Sequence, residues 1–449
     1  MYKRVKIKVK TCFRLENRRI QMIVIILIAI IVKGIVAILT PLSSDFINIV
    51  YGATLSIEKM GFAAASPAEG GFWRFLIHYI YRLWLCLPVD HAPIQSIVGS
   101  RTTIGKWYFN PTPGSYLLIF MLKSPMLLFD ILTGMTLYLL FKIFVPNRSE
   151  VSNKILILWL MNPYNTLIIE MHGAFDIIAS FFLILSILLI AYGKHALAGF
   201  SLGVGTATKL WPSLTFPLFI IYYSKKQEYR SFMKFFLSLL FASVLGILYR
   251  IVTPVNRTIE DVFMLGLPDY NFFLGPMIKV GKAIFYPTPL AVLLFLLLLN
   301  EFIKLPSEKD LMSLILAEFL IIFAFSYWHP QFIAWISPLL TLDYLVNHEN
   351  RKKSYFVLFW IVISVITLIV FGFYLSSEGN SFFYYPCFNN EILKSISIFM
   401  LKLEVHPLIQ KLYIVPLLYV IFSSLCLIYT IHVCRPIILK RLLLCSSAT

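Results

Sequence analysis

Charge is what this chain has least of. Only 14% of its 449 residues are Asp, Glu, Lys or Arg, while 59% are hydrophobic. Soluble domains are about 25% charged and roughly 45–50% apolar, so a soluble enzyme is excluded. A disordered chain is excluded too, because aromatic residues alone make up 16%. Cysteine is equally sparse. Six in the whole chain cannot make a disulfide framework. No Walker A, HExxH or paired CxxC pattern occurs, and no nucleophile elbow is read. No recognisable device for a nucleotide is present, which fits chemistry done outside the cell. Acidic residues are the scarcer sign, 22 against 39 basic, for a net charge of +17. Such a balance in a soluble protein would suggest nucleic acid. Here the basic residues form no single patch; they sit in short loops between apolar runs.

What is present is a series of those runs. At about 20 residues per span the length accommodates about 12 transmembrane helices, with a range of roughly 10–13. The expected fold is therefore all-α and polytopic, one domain over residues 1–449. The largest basic cluster, Lys3, Arg4, Lys6, Lys8, Lys10, Arg14, Arg18 and Arg19, makes residues 1–19 a cytoplasmic tail. Lys225, Lys226 and Arg230, then Arg351, Lys352 and Lys353, then Arg435, Lys440 and Arg441 mark the same side. Both termini are then cytoplasmic in a multi-pass protein of the cell membrane. Ile20–Leu39 has the basic flank of a signal peptide but no usual cleavage site, and reads as an uncleaved first helix.

The expected spans are Gln21–Leu39, Tyr116–Phe144, Ile155–Ile169, Ile177–Tyr192, Ala196–Leu210, Trp211–Tyr223, Phe232–Val252, Leu290–Phe302, Leu311–Trp328, Gln331–Val346, Tyr355–Leu375 and Leu412–Val433. Residues 40–115 form a long first extracytoplasmic loop. Within it Gly71–Leu87 carries Arg74, His78 and Arg82 on one face among aromatics, the pattern of a helix lying on the membrane. Cys12, Cys434 and Cys445 fall on the cytoplasmic side and Cys426 in a span. Cys86 and Cys387 both fall outside, where a disulfide between them is one option.

Polar residues at span ends are costly and need a reason. Asp45 follows the first helix, either as a solvated loop acid or as a general base at the membrane surface. Asn162-Pro163-Tyr164 marks a helix break. Beyond it Glu170, His172 and Asp176 crowd an outer hairpin, and His172 and Asp176 share a face if that stretch is helical. A polar packing pair and a metal site are both open readings. Lys209, in Thr208-Lys209-Leu210-Trp211-Pro212, lies on the side where basic residues are rare. It either snorkels to headgroups or meets an anion such as phosphate. Gly199, Gly203 and Gly205 form no nucleotide loop, since no strand precedes them; small residues four apart pack membrane helices. Tyr327-Trp328-His329-Pro330-Gln331 combines an interfacial aromatic belt with groups able to donate to a phosphate or sugar. Lys123 and Asp130 share one span, where they pair loosely or find separate partners in a structural role.

Taken in order, Ser43-Ser44-Asp45-Phe46, Pro111-Thr112-Pro113-Gly114-Ser115-Tyr116, Asn162-Pro163-Tyr164, His172-Gly173-Ala174-Phe175-Asp176, Thr208-Lys209-Leu210-Trp211-Pro212 and His329-Pro330-Gln331-Phe332 resemble a family. The chain looks like a GT-C class integral-membrane glycosyltransferase. It is most similar to the type I GPI mannosyltransferase and its prokaryotic polyprenol-phosphate-mannose-dependent relatives. The resemblance covers roughly residues 40–340. It implies inverting transfer of a hexose, mannose above all, from a polyprenyl- or dolichyl-phosphate donor to a hydroxyl of a glycolipid or lipid-linked oligosaccharide, at the extracytoplasmic face. It places Asp45 as the catalytic acid residue. Lys209, His329 and His172 then serve the donor phosphate, and Asp176, Glu170, Gln331, Tyr327 and Trp211 the substrates. The eukaryotic pattern has two acids one residue apart, whereas Ser43 stands at the first position here. A divalent metal thus stays an open but weakly supported option, no metal ligand is assigned and no cofactor is certain. Beyond donor and acceptor, the expected partners are membrane lipids, and nucleic acid is not among them.

Two other classes fit the same composition. A transporter or lipid flippase would show paired halves and polar groups at mid-depth. A non-catalytic subunit of a lipid-linked glycosylation complex would leave Asp45 away from any cavity.

Overall fold

In the computed structural model, residues 2–39, 79–89, 113–171, 173–252, 278–280, 283–285, 287–303, 306–325, 333–346 and 414–446 are described. They are almost entirely helical. The long helices are α1 (Tyr2–Leu39), α2 (Pro113–Phe144), α3 (Ser152–Leu160), α4 (Asp176–Ala191), α5 (His195–Thr208), α6 (Phe216–Lys226), α7 (Tyr229–Val252), α8 (Pro287–Phe302), α9 (Glu308–Phe325), α10 (Ile333–Val346) and α11 (Ile414–Ser446). One departure from the all-α expectation is a short antiparallel hairpin, β1 (Ile278–Val280) with β2 (Ala283–Phe285).

Helices stand where the apolar runs were, because each run is long enough to satisfy its own backbone hydrogen bonds without water. Two of them are long and apolar enough to cross a membrane, Ile20–Ile38 and Tyr116–Phe144. Shorter apolar helices are Asp176–Ala191, Thr288–Glu301, Ile333–Val346 and Val420–Arg435. The expected span Tyr355–Leu375 lies outside the described residues. So does the first half of the expected interfacial helix, residues 71–78, with Arg74 and His78. Of the described half, residues 79–85 are helical and the helix ends before Cys86. It buries Tyr81 and Trp84, which stack at 5.6 Å, and leaves Tyr79, Arg82 and Leu83 exposed, as an amphipathic helix requires.

The centre of the bundle is α4, α9 and α10. Leu311 to Phe323 of α9 are buried without exception, as is α10 apart from Tyr344. A helix apolar on every side belongs in such a core. The outer helices do the opposite. Ile23, Leu27 and Ile31 of α1, Leu237 and Phe241 of α7, Leu293 and Leu297 of α8, and Ile428 and Ile431 of α11 all stand exposed. Contiguous apolar faces of this size would drive a soluble protein to aggregate; in lipid they carry no cost. This outward apolar surface and the two span-length helices support a membrane protein.

Glycine sets the tightest contact. A Cβ on Gly199 would collide with the backbone carbonyl of Phe235, and one on Gly203 would lie 2.6 Å from the Leu239 oxygen. So α5 and α7 touch backbone to backbone along the Gly199/Gly203 stripe, as small residues at this spacing suggest. Gly199-Phe200-Ser201-Leu202-Gly203 also has the letters of a nucleophile elbow. The chemistry is absent: Ser201 is mid-helix and its hydroxyl donates to the Phe182 carbonyl at 2.8 Å. A nucleophile elbow needs a strand-to-helix turn.

Among the cysteines, Cys86 is an exposed free thiol, Cys426 is a buried one and Cys434 is buried. Cys434 lies within α11. Cys387 lies outside the described residues.

Candidate active site

The site grows from a break in the second half of an expected span. Ile155–Ile169 is not one helix. α3 stops at Leu160, and Asn162 caps a new turn by accepting a hydrogen bond from the Tyr164 amide at 2.9 Å. Pro163 follows at the first helical position, where its missing N–H costs nothing. The chain then continues as a π-helix, Thr166–Met171, a form that recurs at functional sites. Gly173 ends it at φ +82°, a conformation glycine adopts without strain. Its amide and that of Ala174 return to the Ile169 and Ile168 carbonyls, both at 3.1 Å. Only at Asp176 does α4 begin. Residues 173–175 are not helical, so the helical premise for pairing His172 with Asp176 is not met. His172 itself lies outside the described residues.

Two buried ion-pair groups hold this turn, one at each end. Before it, Glu170 receives the Lys33 ammonium at 3.2 Å on both carboxylate oxygens. The same Lys33 donates to Asp130 of α2 at 2.6 Å. All three side chains are at most 1% exposed. Asp130 thus pairs with Lys33 of α1, not with Lys123 of its own span. After the turn, the Lys209 ammonium lies 3.0 Å from Asp176. Trp335 of α10 donates its indole N–H to the same carboxylate at 2.6 Å. Lys209 also stands 4.6 Å from the ring centre of Phe175 in the turn. Trp335 stacks on Trp211 at 4.8 Å with planes 8° apart.

The local reasons are visible. Lys209 is the residue at which α5 ends, in extended backbone, so its side chain leaves the helix and reaches back to the first residue of α4. Pro212 starts a 3-10 turn, Trp211–Thr215, that turns Trp211 into the core. Hydrogen bonds join the groups: Trp159 donates to the Asp130 carbonyl at 3.0 Å, Asn165 to the Trp159 carbonyl at 3.3 Å, and Ser337 to Asn165 at 2.7 Å. Ser180 of α4 donates to the Ala334 carbonyl of α10 at 3.0 Å. The site is a polar layer at the end of the bundle where α1 and α5 finish and α4 and α10 begin.

Of the residues anticipated from sequence, Asp176, Lys209 and Trp211 come together here, and Glu170 joins through the other ion pair. Asp45, His172, Tyr327, His329 and Gln331 lie outside the described residues. Lys33 and Trp335 carry the geometry but were not among the site candidates. Lys33 had a signal, a lone cation in an apolar run, because intramembrane charges mark partners. Among the described residues no group of three or more His, Cys, Asp or Glu is arranged to hold a metal ion.

The opposite end of the bundle is also polar but of another kind. Glu308 accepts hydrogen bonds from Lys226 at 2.6 Å and Tyr222 at 2.7 Å. Burial works against its charge, yet these two bonds prevail and hold its carboxyl below its ordinary range.

Comparison with known proteins points to the same chemistry. The model of glycosyltransferase family 87 matches residues 114–257, roughly a third of the chain. No curated protein and no solved structure matches. The matched stretch runs from α2 beyond α7 and contains Asp130, Glu170, Asp176, Lys209 and Trp211. It supports a membrane glycosyltransferase of the GT-C kind, the class anticipated from the sequence.

Proposed function

We propose that the protein transfers a hexose, mannose above all, from a polyprenyl- or dolichyl-phosphate donor to a hydroxyl of a glycolipid or lipid-linked oligosaccharide. The observation that carries this reading is the paired, buried Asp176–Lys209 centre beside the broken helix, inside the stretch that resembles a glycosyltransferase family. Asp45 takes the proton of the acceptor hydroxyl. The acceptor oxygen attacks the anomeric carbon, the bond from that carbon to the phosphate oxygen breaks, and polyprenyl phosphate leaves with inversion. Lys209, kept charged and aimed by Asp176, stabilises the phosphate as negative charge develops on it. His329 and His172 complete the phosphate site, and Glu170, Gln331, Tyr327 and Trp211 shape the substrate site. The chain crosses the membrane about 12 times at roughly 20 residues per span, with both termini cytoplasmic and this end of the bundle extracytoplasmic.

The test is transfer by purified protein in vesicles containing a panel of polyprenyl-phosphate sugars, scored for glycosylated lipid. Asp45→Asn should lower turnover by roughly 100- to 10,000-fold, the usual worth of a general base. Unchanged transfer in that variant would sink the assignment. The transporter reading gains one observation: Lys33, Asp130 and Glu318 are buried ionisable side chains within helices. It predicts lipid or solute movement across vesicles without any sugar transfer.

A further inference from the structure

The buried face of α1 is narrow. Ala29, Lys33, Gly34 and Ala37 are its inward residues near the outer end, while Ile30, Ile31, Val32 and Ile35 face out. Two alanines and a glycine on a smooth apolar stripe specify no register. A helix held only by such contacts can slide by one turn, about 5.4 Å, and bury an equivalent stripe. Lys33 is the exception on this stripe. Its ammonium meets two carboxylates from two elements, Asp130 at 2.6 Å and Glu170 at 3.2 Å. Any slide would leave both acids buried without their cation. Fixing register is the best-attested use of a buried ionic group.

Glu170 is also the last acid before the 171–175 turn, whose other end Lys209 clamps through Asp176. The lysine that sets α1 thus also holds one side of the candidate site. Six residues after Lys33 the helix ends, and the segment bearing Asp45 begins. We propose that Lys33 is a positioning residue, a register lock that fixes the depth of α1 against Asp130 and Glu170. Through Glu170 it also fixes the end of the helical segment that leads to Asp176 and Lys209. Lys33 acts through these groups and touches no substrate. The kinetic half of this inference rests on the transferase reading above; the register half does not.

The test combines cross-linking with kinetics. A Cβ on Gly34 would lie 4.0 Å from the Phe120 ring. In protein with its native cysteines replaced by alanine, Gly34→Cys with Phe120→Cys should cross-link best with a short bis-maleimide reagent. Ile30→Cys and Ile38→Cys with Phe120→Cys should react poorly. Adding Lys33→Met should spread or move the strongest cross-link to position 30 or 38. It should also lower kcat by on the order of 100-fold, the cost of misplacing a reacting group by about 1 Å, with KM little changed. Lys33→Arg should restore both the cross-link and kcat. If Lys33→Met does not fold, the apolar set Lys33→Met, Asp130→Leu and Glu170→Met removes the unpaired charges and should show the same loss of register. An unchanged cross-link to position 34 in whichever variant folds overturns the proposal. A shifted cross-link in protein whose wild type transfers no sugar upholds the lock and refutes the transferase reading.

Discussion

The Asp176–Lys209 pair gives the sharpest energetic test, because its two members differ in access to water. Asp176 is 1% exposed at its side chain and Lys209 10%. Lys209→Met leaves a carboxylate in the bundle with, among the described residues, only the Trp335 indole to satisfy it. Removing one partner of a buried pair costs about 3–5 kcal/mol, and this variant should lie in that range. Asp176→Asn is milder. Its amide oxygen still accepts from Trp335, and the lysine can extend its ammonium towards water; we expect about 1–3 kcal/mol, the cost of an imperfectly satisfied group. The double variant removes both charges and should cost less than the two singles added. The coupling should reach about 2–3 kcal/mol, the upper part of the range for residues in contact. Equilibrium unfolding in mixed micelles, followed by tryptophan fluorescence, measures all four corners of the cycle. Singles that each stay within about 0.5 kcal/mol and add would mean a solvent-screened surface pair. The burial argument for this site would then be wrong.

Three further outcomes follow from particular contacts. Gly199→Ala must push backbone against the Phe235 carbonyl, so it should destabilise by at least about 1–3 kcal/mol. Gly34→Ala meets nothing nearer than 4.0 Å and should be neutral or slightly stabilising by the same unfolding assay. Glu308 supplies a pH signature at the other end of the bundle. Its folded carboxyl titrates below the ordinary value of 4.5. Its contribution is therefore complete above that value and fades as pH falls through the lower folded value. The Tm difference between wild type and Glu308→Gln should hold steady above pH 4.5 and shrink below it; a difference that grows with acid would reverse the assignment.

Most helices could be read directly because apolar length is a local property. The runs at Ile177–Tyr192 and Ala196–Leu210 were placed within a residue or two of α4 and α5. The break at Asn162-Pro163 was legible for the same reason, since proline and a capping asparagine act on the next turn. Pairing was not legible. Lys33 finds its acids 97 and 137 residues away, and Trp335 reaches Asp176 across 159. Nothing in a local pattern says which of several buried acids a lysine meets. Asp130 illustrates this: pairing with Lys123 in the same helix and pairing elsewhere are equally open from sequence, and the partner comes from α1. Lys209 and Asp176 were each singled out for being polar in the wrong place. That they neutralise each other follows only from α5 turning back along α4.

Glu318 separates the two functional classes most economically. It lies in the wholly buried stretch of α9, and among the described residues neither of its carboxylate oxygens has a hydrogen-bond partner. A buried polar group left unsatisfied costs about 1–3 kcal/mol. If this acid serves no transport step, Glu318→Leu, of similar volume, should stabilise the protein by about that amount and leave sugar transfer intact. Glu318→Gln keeps an unsatisfied polar end and should gain far less, which separates desolvation from shape. A transporter would use such an acid, because a mid-helix carboxyl with no fixed partner is free to take and release a cation or proton. For that protein Glu318→Leu would be more stable and inactive. Gain of stability with retained transfer therefore favours the enzyme, whose chemistry lies at the Asp176–Lys209 end. Gain of stability with loss of all activity would move the functional centre to α9 and overturn the site described above.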